Sequence, residues 1–223
     1  MVLSKGHDEI AVAGHARNRR DLRHIKRRQA IIDIARKQFL ASGYSATSMS
    51  LIAENLGGSK GTLWRYFPSK EALFKAVIEH EAAKFRRELI VDLDLADDLQ
   101  PSLLRFCRRL IQLIVSPDAL ALRRVVTAEA VRFPDVGCFF YSKAPARLHS
   151  ALAEALKAGM TKGLLREADP LEAAEVLAAL CHSRCYRRAA FALTSSVSLN
   201  EIDADAALAV DIFLRSYQRQ SGL

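Results

Sequence analysis

Apolar positions recur at helical spacing along almost the whole chain, and no stretch alternates with the period of two that a half-buried strand requires. Ile31, Ile34, Ala35 and Phe39 fall at offsets 0, 3, 4 and 8, one face of a helix. Gly43 can close that helix in the left-handed conformation. Thr47 or Ser48 can cap a second helix, whose inward face is Met49, Ile52, Ala53 and Leu56. Gly57-Gly58 makes a tight turn, and Ser59 caps a third, short helix. There Leu63 and Phe67 lie four apart and turn inward, and Pro68 ends the element. Ser69 then caps a long helix from Lys70 to about Leu89, with Leu73, Phe74, Val77 and Ile78 on its apolar side.

The connector DLDLADDLQP at 92–101 is acidic and ends in proline, and it reads as a domain boundary. Beyond it helical patterns cover about 102–115, 118–131, 136–159, 171–194 and 202–219, broken at Pro117, Pro134, Gly163, Pro170 and the turn 195–200. The expectation is an all-α chain of about nine helices. It is divided into a flexible basic arm over 1–25, a helical head with its linking fourth helix over 26–90, and a helical body over 91–223.

Charge sharpens that division. The chain carries 33 Lys+Arg against 25 Asp+Glu, net +8. Residues 1–90 hold 17 basic and 9 acidic side chains, whereas residues 91–223 hold 16 of each, so the excess lies entirely in the first part. A basic segment joined to a neutral one points to a polyanion-binding part and a part with another task. Arg17–Arg28 holds seven basic residues and one acid, Asp21. It is expected to be a loose arm along DNA or in its minor groove, or a terminus with no specific role. No apolar run approaches the roughly 18 residues of a spanning helix, and the N-terminus has no signal-peptide core. Four cysteines, at 107, 138, 181 and 185, are too few for a disulfide scaffold. A cytoplasmic, reduced protein is expected, with no membrane partner.

Catalytic signatures are missing. GGSKGT at 57–62 lacks the ending of a phosphate loop and sits in a helix turn, and H-E-x-x-H, G-x-S-x-G and C-x-x-C are absent. In CHSRC, Cys181 and Cys185 lie one turn apart beside His182, too few ligands for a closed zinc site, and read as core residues. Neither an enzyme, a metal nor a cofactor is expected.

Two short helices joined by a glycine turn, the second polar on one side, make a helix-turn-helix, which offers the start of its second helix to the major groove. In SKGTLWRYFPSKEALF (59–74), Lys60, Gly61, Thr62, Trp64 and Arg65 avoid the inward side set by Leu63 and Phe67. The stretch FLASGYSATSMSLIAENLGGSKGTLWRYFPSKEALF (39–74) closely resembles the DNA-binding domain of TetR-family transcriptional regulators. The resemblance implies a three-helix head, with helices over about 28–42, 49–56 and 60–66, and a fourth helix from about 70 leading to an all-helical ligand-binding and dimerisation body. It places Thr47 and Ser48 on phosphate, Lys60, Gly61 and Thr62 nearest the bases, Trp64 and Tyr66 on the DNA backbone, and Lys70 on a phosphate. Arg65 is either a DNA contact or plain surface. Trp64 stands where the family usually has Tyr, and Gly58 where it usually has an aliphatic residue. In the second half Glu129, Arg132-Phe133-Pro134-Asp135, Phe140-Tyr141, Ala144-Pro145, Gly163-Leu164-Leu165, Asp169-Pro170 and Ala173-Ala174 resemble the AefR-like subgroup.

In the body, Ala206, Val210, Phe213, Leu214 and Tyr217 form one stripe of the last helix, with Leu208 and Ile212 on another side, and Ala and Leu surround Leu177 in the helix before it. Helices apolar on several sides are buried on several sides. Leu177 and the 206–217 stripe are therefore expected at a homodimer interface of four helices, burial within one monomer being the alternative. A pocket for a small-molecule effector is expected among Phe106, Leu110, Ile114, Phe139, Leu177, Cys181 and Tyr186, with His182 or Arg184 orienting the ligand. The function expected is a dimeric repressor that binds a palindromic operator in double-stranded DNA and is released by its effector. The alternatives are an activator, a co-repressor-dependent regulator or, in other classes, a non-specific architectural DNA binder or a small helical enzyme.

Overall fold

The computed structural model describes residues 6–57, 60–89 and 98–219, with side chains from Asp21 onward except that of Lys60. Eleven helices account for the regular structure of these residues: α1 (Gly6–Ala46), α2 (Met49–Asn55), α3 (Lys60–Tyr66), α4 (Lys70–Leu89), α5 (Leu99–Ile114), α6 (Pro117–Ala130), α7 (Pro134–Lys143), α8 (Pro145–Thr161), α9 (Pro170–Cys181), α10 (Arg184–Ala190) and α11 (Leu199–Tyr217). The all-α class is as expected. Two of the nine expected helices are each divided. Pro145 has no N–H to donate and so begins a helix rather than continuing one, separating α7 from α8. At Ser183 the backbone becomes extended (φ −88°, ψ −158°), separating α9 from α10. The turn residues Gly58 and Ser59 and most of the 92–101 connector lie outside the described residues.

α1 is helical from Gly6 onward, so residues 6–25 are not the loose arm expected from their charge. The stretch has no proline, and its Ala, Arg and Leu residues favour helix. Gly43, at φ 81° and ψ 170°, interrupts the far end of this element where the sequence places a stop.

The chain forms two compact units, 1–77 and 78–223. The division falls inside α4 rather than near residue 90, because no breaker interrupts α4 before Leu89 and the change of composition marks only its end. The core of the first unit is Ile31, Ile32, Ala35 and Phe39 of α1, Met49, Ile52 and Ala53 of α2, Leu63, Phe67, and Leu73, Phe74 and Val77 of α4. Phe39 packs edge-on to Phe74 at 4.8 Å between ring centres, and Tyr44 closes the cluster 4.9 Å from Phe74.

The second unit centres on α5, α8, α9 and α11, through Leu103, Phe106, Leu110, Leu152, Leu156, Leu177, Val210 and Phe213. Ser198 and Glu201 cap each other reciprocally and start α11. One charge is buried among these helices: Asp205 of α11 is 5% exposed. Its Oδ2 accepts the Cys185 N–H at 2.8 Å, satisfying a first-turn donor of α10, and Arg184 Nε lies 3.3 Å from its Oδ1. Removing the carboxylate orphans a buried amide, which costs about 1–3 kcal/mol. Asp205→Ala is therefore expected to lower the urea midpoint of the full chain, with Asp205→Asn, which keeps an acceptor oxygen, falling less. Equal midpoints for both variants and the parent would show that this bond carries no stability.

Candidate nucleic-acid interface and body cavity

In the head, α3 is held by Leu63 and Phe67, at 0% and 3% exposure, and this pair decides what the rest of the helix presents. Gly61, Trp64 and Arg65, at i, i+3 and i+4, share the exposed side. Trp64 is 48% exposed, and a side chain at Gly61 would meet nothing within 4 Å. Thr62 and Tyr66 flank this side, half-buried. Tyr66 lies against the His24 ring of α1 at 4.6 Å, and the Arg65 guanidinium lies 5.7 Å from its ring centre. Arg28 stacks over Phe67 at 5.1 Å, a second tie between α1 and the end of α3. Ser48 caps α2, its Oγ accepting the Leu51 N–H at 3.1 Å, and it is exposed, so its hydroxyl proton can be given outward.

Two expected phosphate contacts point elsewhere. Thr47 is 1% exposed. Its hydroxyl donates to the Gly43 carbonyl at 2.7 Å, with the Gln38 carbonyl 3.3 Å away. The break at Gly43 strips the end of α1 of its helical donors, and Thr47 replaces one. Lys70 gives its ammonium to the Tyr44 and Ser45 carbonyls at 3.0 and 3.4 Å and sits 4.5 Å from the Tyr44 ring centre. A cation at a helix C-terminus meets the negative end of the helix dipole.

In the body a cavity of about 890 Å³ opens among residues of α4 through α10. Phe85, Leu122, Val126, Phe140 and Leu148 supply apolar wall, and Arg123, His149, Glu175, His182 and Tyr186 supply polar groups. Of the nine residues expected to line a pocket, Ile114, His182 and Tyr186 do so. Phe106, Leu110, Leu177 and Cys181 instead fill the core between helices. Phe139 packs under the Lys143 ammonium at 5.1 Å, and Arg184 pairs with Asp205. Arg123, Phe140 and His149 were not foreseen; α8 mixes polar and apolar residues, so nothing in its pattern sets His149 apart.

The His182 Nδ1 lies 2.7 Å from the Ala178 carbonyl and so carries the proton it donates there. Burial pushes the pKa of His182 down, the hydrogen bond to the Ala178 carbonyl works against this, and the nearby Arg123 and His149 add to the lowering. Tyr186 packs edge-on against it at 4.7 Å, and the Arg123 guanidinium lies 5.9 Å from the Tyr186 ring centre. The His149 Nδ1 is buried without a hydrogen bond, 3.7 Å from Glu175 Oε1. Cys107, Cys181 and Cys185 are buried free thiols. A contact with Cys107 and burial raise the pKa of Cys181, and burial pushes that of Cys185 up to about 12, so both are packing groups at neutral pH. Among the described residues no group of three or more His, Cys, Asp and Glu side chains is placed to hold a metal ion. No helix among them is long and apolar enough to cross a membrane.

The expected dimer residues are claimed by the monomer. Leu177, Ala206, Val210, Phe213, Leu214 and Tyr217 are all buried within one chain. What α9 and α11 leave outside is the second stripe, Leu171 and Val176 on one and Leu208 and Ile212 on the other, between 36% and 47% exposed.

The family model for "Bacterial regulatory proteins, tetR family" matches residues 31–77, and that for "AefR-like transcriptional repressor, C-terminal domain" matches residues 101–219, over half of the chain. The chain belongs to the TetR family. It is a transcriptional regulator of a repressor family, with the helix-turn-helix in α2 and α3. Among curated relatives, the repressor ComR of Escherichia coli K12 is 39% identical over 79 residues, 31% of this chain and 38% of ComR. The regulator UidR of the same strain is 31% identical over 123 residues, 52% of this chain and 58% of UidR. The chain thus spans less than two thirds of the length of either. Solved structures match at nearly full length. A TetR-family regulator from Mesorhizobium loti superposes with a TM-score of 0.80 at 29% identity, covering 87% of this chain and 98% of that one. The flavonoid-responsive regulator FrrA does so with a TM-score of 0.77 at 31% identity, covering 88% and 99%.

One consequence for this TetR-family body concerns pH. His182 is folded in its neutral form, with its pKa below the usual 6.5. The unfolded chain therefore binds the extra proton first, and stability is lost as pH falls below about 6.5. Between pH 7.5 and 5.5 the thermal midpoint of the parent should drop further than that of His182→Gln. Parallel curves would mean that His182 does not titrate on unfolding.

Proposed function

We propose that the chain is a dimeric repressor that reads a palindromic operator through α3 and leaves it when a small molecule fills the body cavity. The observation that carries this reading is the exposed side of α3, set by the inward Leu63 and Phe67. Gly61 there allows close approach to base edges, and Trp64 offers an indole N–H to phosphate and a ring to sugar or a thymine methyl. Lys60 opens the helix, and Thr62, Arg65 and Tyr66 border the same side. Ser48 gives its hydroxyl proton to a phosphate beside α2. The basic residues between Arg17 and Arg28 add sequence-independent attraction. Thr47 and Lys70 act by closing α1.

The apolar residues Val176, Leu208 and Ile212 support a two-fold interface in which α9 and α11 meet their copies as four helices. A dimer presents two recognition helices to half-sites one or two helical turns apart. The cavity supports response to a small molecule, and so does the likeness to a regulator described as flavonoid-responsive. A ligand shifts the population only by binding one arrangement of the dimer better than another. The setting is the cytoplasm, where the free thiols stay reduced.

Selection from a random DNA pool at near-physiological salt should recover one palindrome, whereas equal recovery of all sequences would make the protein an architectural binder. On that palindrome Trp64→Ala should lose about tenfold or more in affinity, a loss of the size one good base or backbone contact supplies, with the dimer intact. Unchanged affinity would remove α3 from the interface. Leu208→Glu buries a charge at the proposed seam. It should give a folded monomer by sedimentation; a dimer that persists would place the interface elsewhere.

A further inference from the structure

We infer that the body cavity takes an uncharged aromatic molecule bearing a hydroxyl group, and that Nε2 of His182 accepts a hydrogen bond from that hydroxyl. The inference rests on the effector reading above and adds the chemistry of the effector.

The charges around the cavity argue for a neutral ligand. Four carboxylates line it, those of Glu81, Glu88, Asp118 and Glu175, against the cations of Lys84 and Arg123. An anion would enter against the larger number. A cation would need a buried carboxylate with nothing else to do, and none of the four is that. Glu88 meets Arg109 at 3.4 Å, Glu81 and Asp118 have partners of their own, and Glu175, 3.7 Å from His149 without a hydrogen bond to it, is half exposed to water. A buried charge left without a partner is costly, so the site favours a molecule that brings none. The wall is aromatic on several sides, through Phe85, Phe140, Tyr141 and Tyr186. Its volume of about 890 Å³ falls within the range of small-molecule sites.

The polar wall specifies more. His182 spends Nδ1–H on the Ala178 carbonyl at 2.7 Å, so its other nitrogen, Nε2, is a lone-pair acceptor whenever the ring is neutral. Protonation of that ring is opposed by burial first, and then by Arg123 from α6 and His149 from α8. Tyr186 packs against it from α10. An acceptor held in one tautomer in a cavity wall selects a donor, and a hydroxyl on an aromatic ring supplies both the donor and the flat apolar surface the other walls match. The guanidinium of Arg123, 5.9 Å from the Tyr186 ring centre, belongs to the same lining and can donate to a carbonyl or ether oxygen of the same ligand.

The test uses the full chain, calorimetric titration, and three probes: 7-hydroxyflavone, its methyl ether 7-methoxyflavone, and decanoate. The parent should bind the hydroxyl compound about tenfold or more tighter than the ether, because the ether leaves a buried acceptor unpaired. His182→Phe keeps a ring against Tyr186 and removes the acceptor, and should bind the two flavones about equally. His182→Gln restores an acceptor oxygen and should restore the preference, which keeps the test open should the phenylalanine variant fold poorly. Equal binding of the two flavones by the parent, or no binding of either, overturns the inference. Decanoate that binds and releases the operator while the flavones do not overturns the ligand class and leaves the effector reading standing. A hydroxyl preference that depends on His182 but leaves the operator complex intact supports the inference and overturns ligand release.

Discussion

A seven-residue helix has no stability of its own in water, because the cost of nucleating it exceeds what so few hydrogen bonds return. α3 exists because Leu63 and Phe67 are buried in the head, a gain of about 1.5–3 kcal/mol for each such side chain. The same two residues fix its rotation about its own axis, and that rotation turns Gly61, Trp64 and Arg65 outward. On the proposed reading, recognition of DNA depends on a hydrophobic contact made on the opposite side of the helix. The aromatic cluster of Phe39, Tyr44 and Phe74 provides the rigid ground under it. Thr47 and Lys70 serve that ground as well, by satisfying carbonyls at the frayed end of α1, and the surface left for phosphate is narrower than the motif alone implies.

The helices of the head were legible because their signals are local. Ser48 and Ser69 make the capping bonds that their positions announce, Pro68 stops α3, and Gly43 takes a positive φ at the predicted end. Thr47 and Lys70 were misplaced for a non-local reason. A polar residue at the start of a helix reads as exposed, and nothing in the spacing shows that the Tyr44 carbonyl, 26 residues back along the chain from Lys70, will lie 3.0 Å from its ammonium. The body was less legible still. A helix with two apolar stripes says that two sides are covered but not by what, and the stronger stripe of α11 went to the monomer's own core. A cavity is where packing is incomplete, so the most regular apolar positions, such as Phe106 and Leu110, are the least suited to line it. The better signal is a polar residue next to an apolar run, as with His182 at the end of the Ala and Leu residues of α9.

The buried carboxylate of Asp205 joins the cavity wall to the outer side of α11. It holds the first turn of α10, the helix that carries Tyr186 into the cavity wall, to α11, the helix that carries Leu208 and Ile212 on the outside. Arg188 of α10 adds a surface ion pair with Glu201 of α11, and Arg124 of α6 donates to the Ala189 carbonyl at 2.7 Å. α10 is therefore tied at its start to α11 and at its end to both α11 and α6. Because the Cys185 amide is bonded to a buried carboxylate, separating the start of α10 from α11 would leave that charge short of a partner in a dry setting, so these two helices are coupled more firmly than their surface ion pair alone would make them.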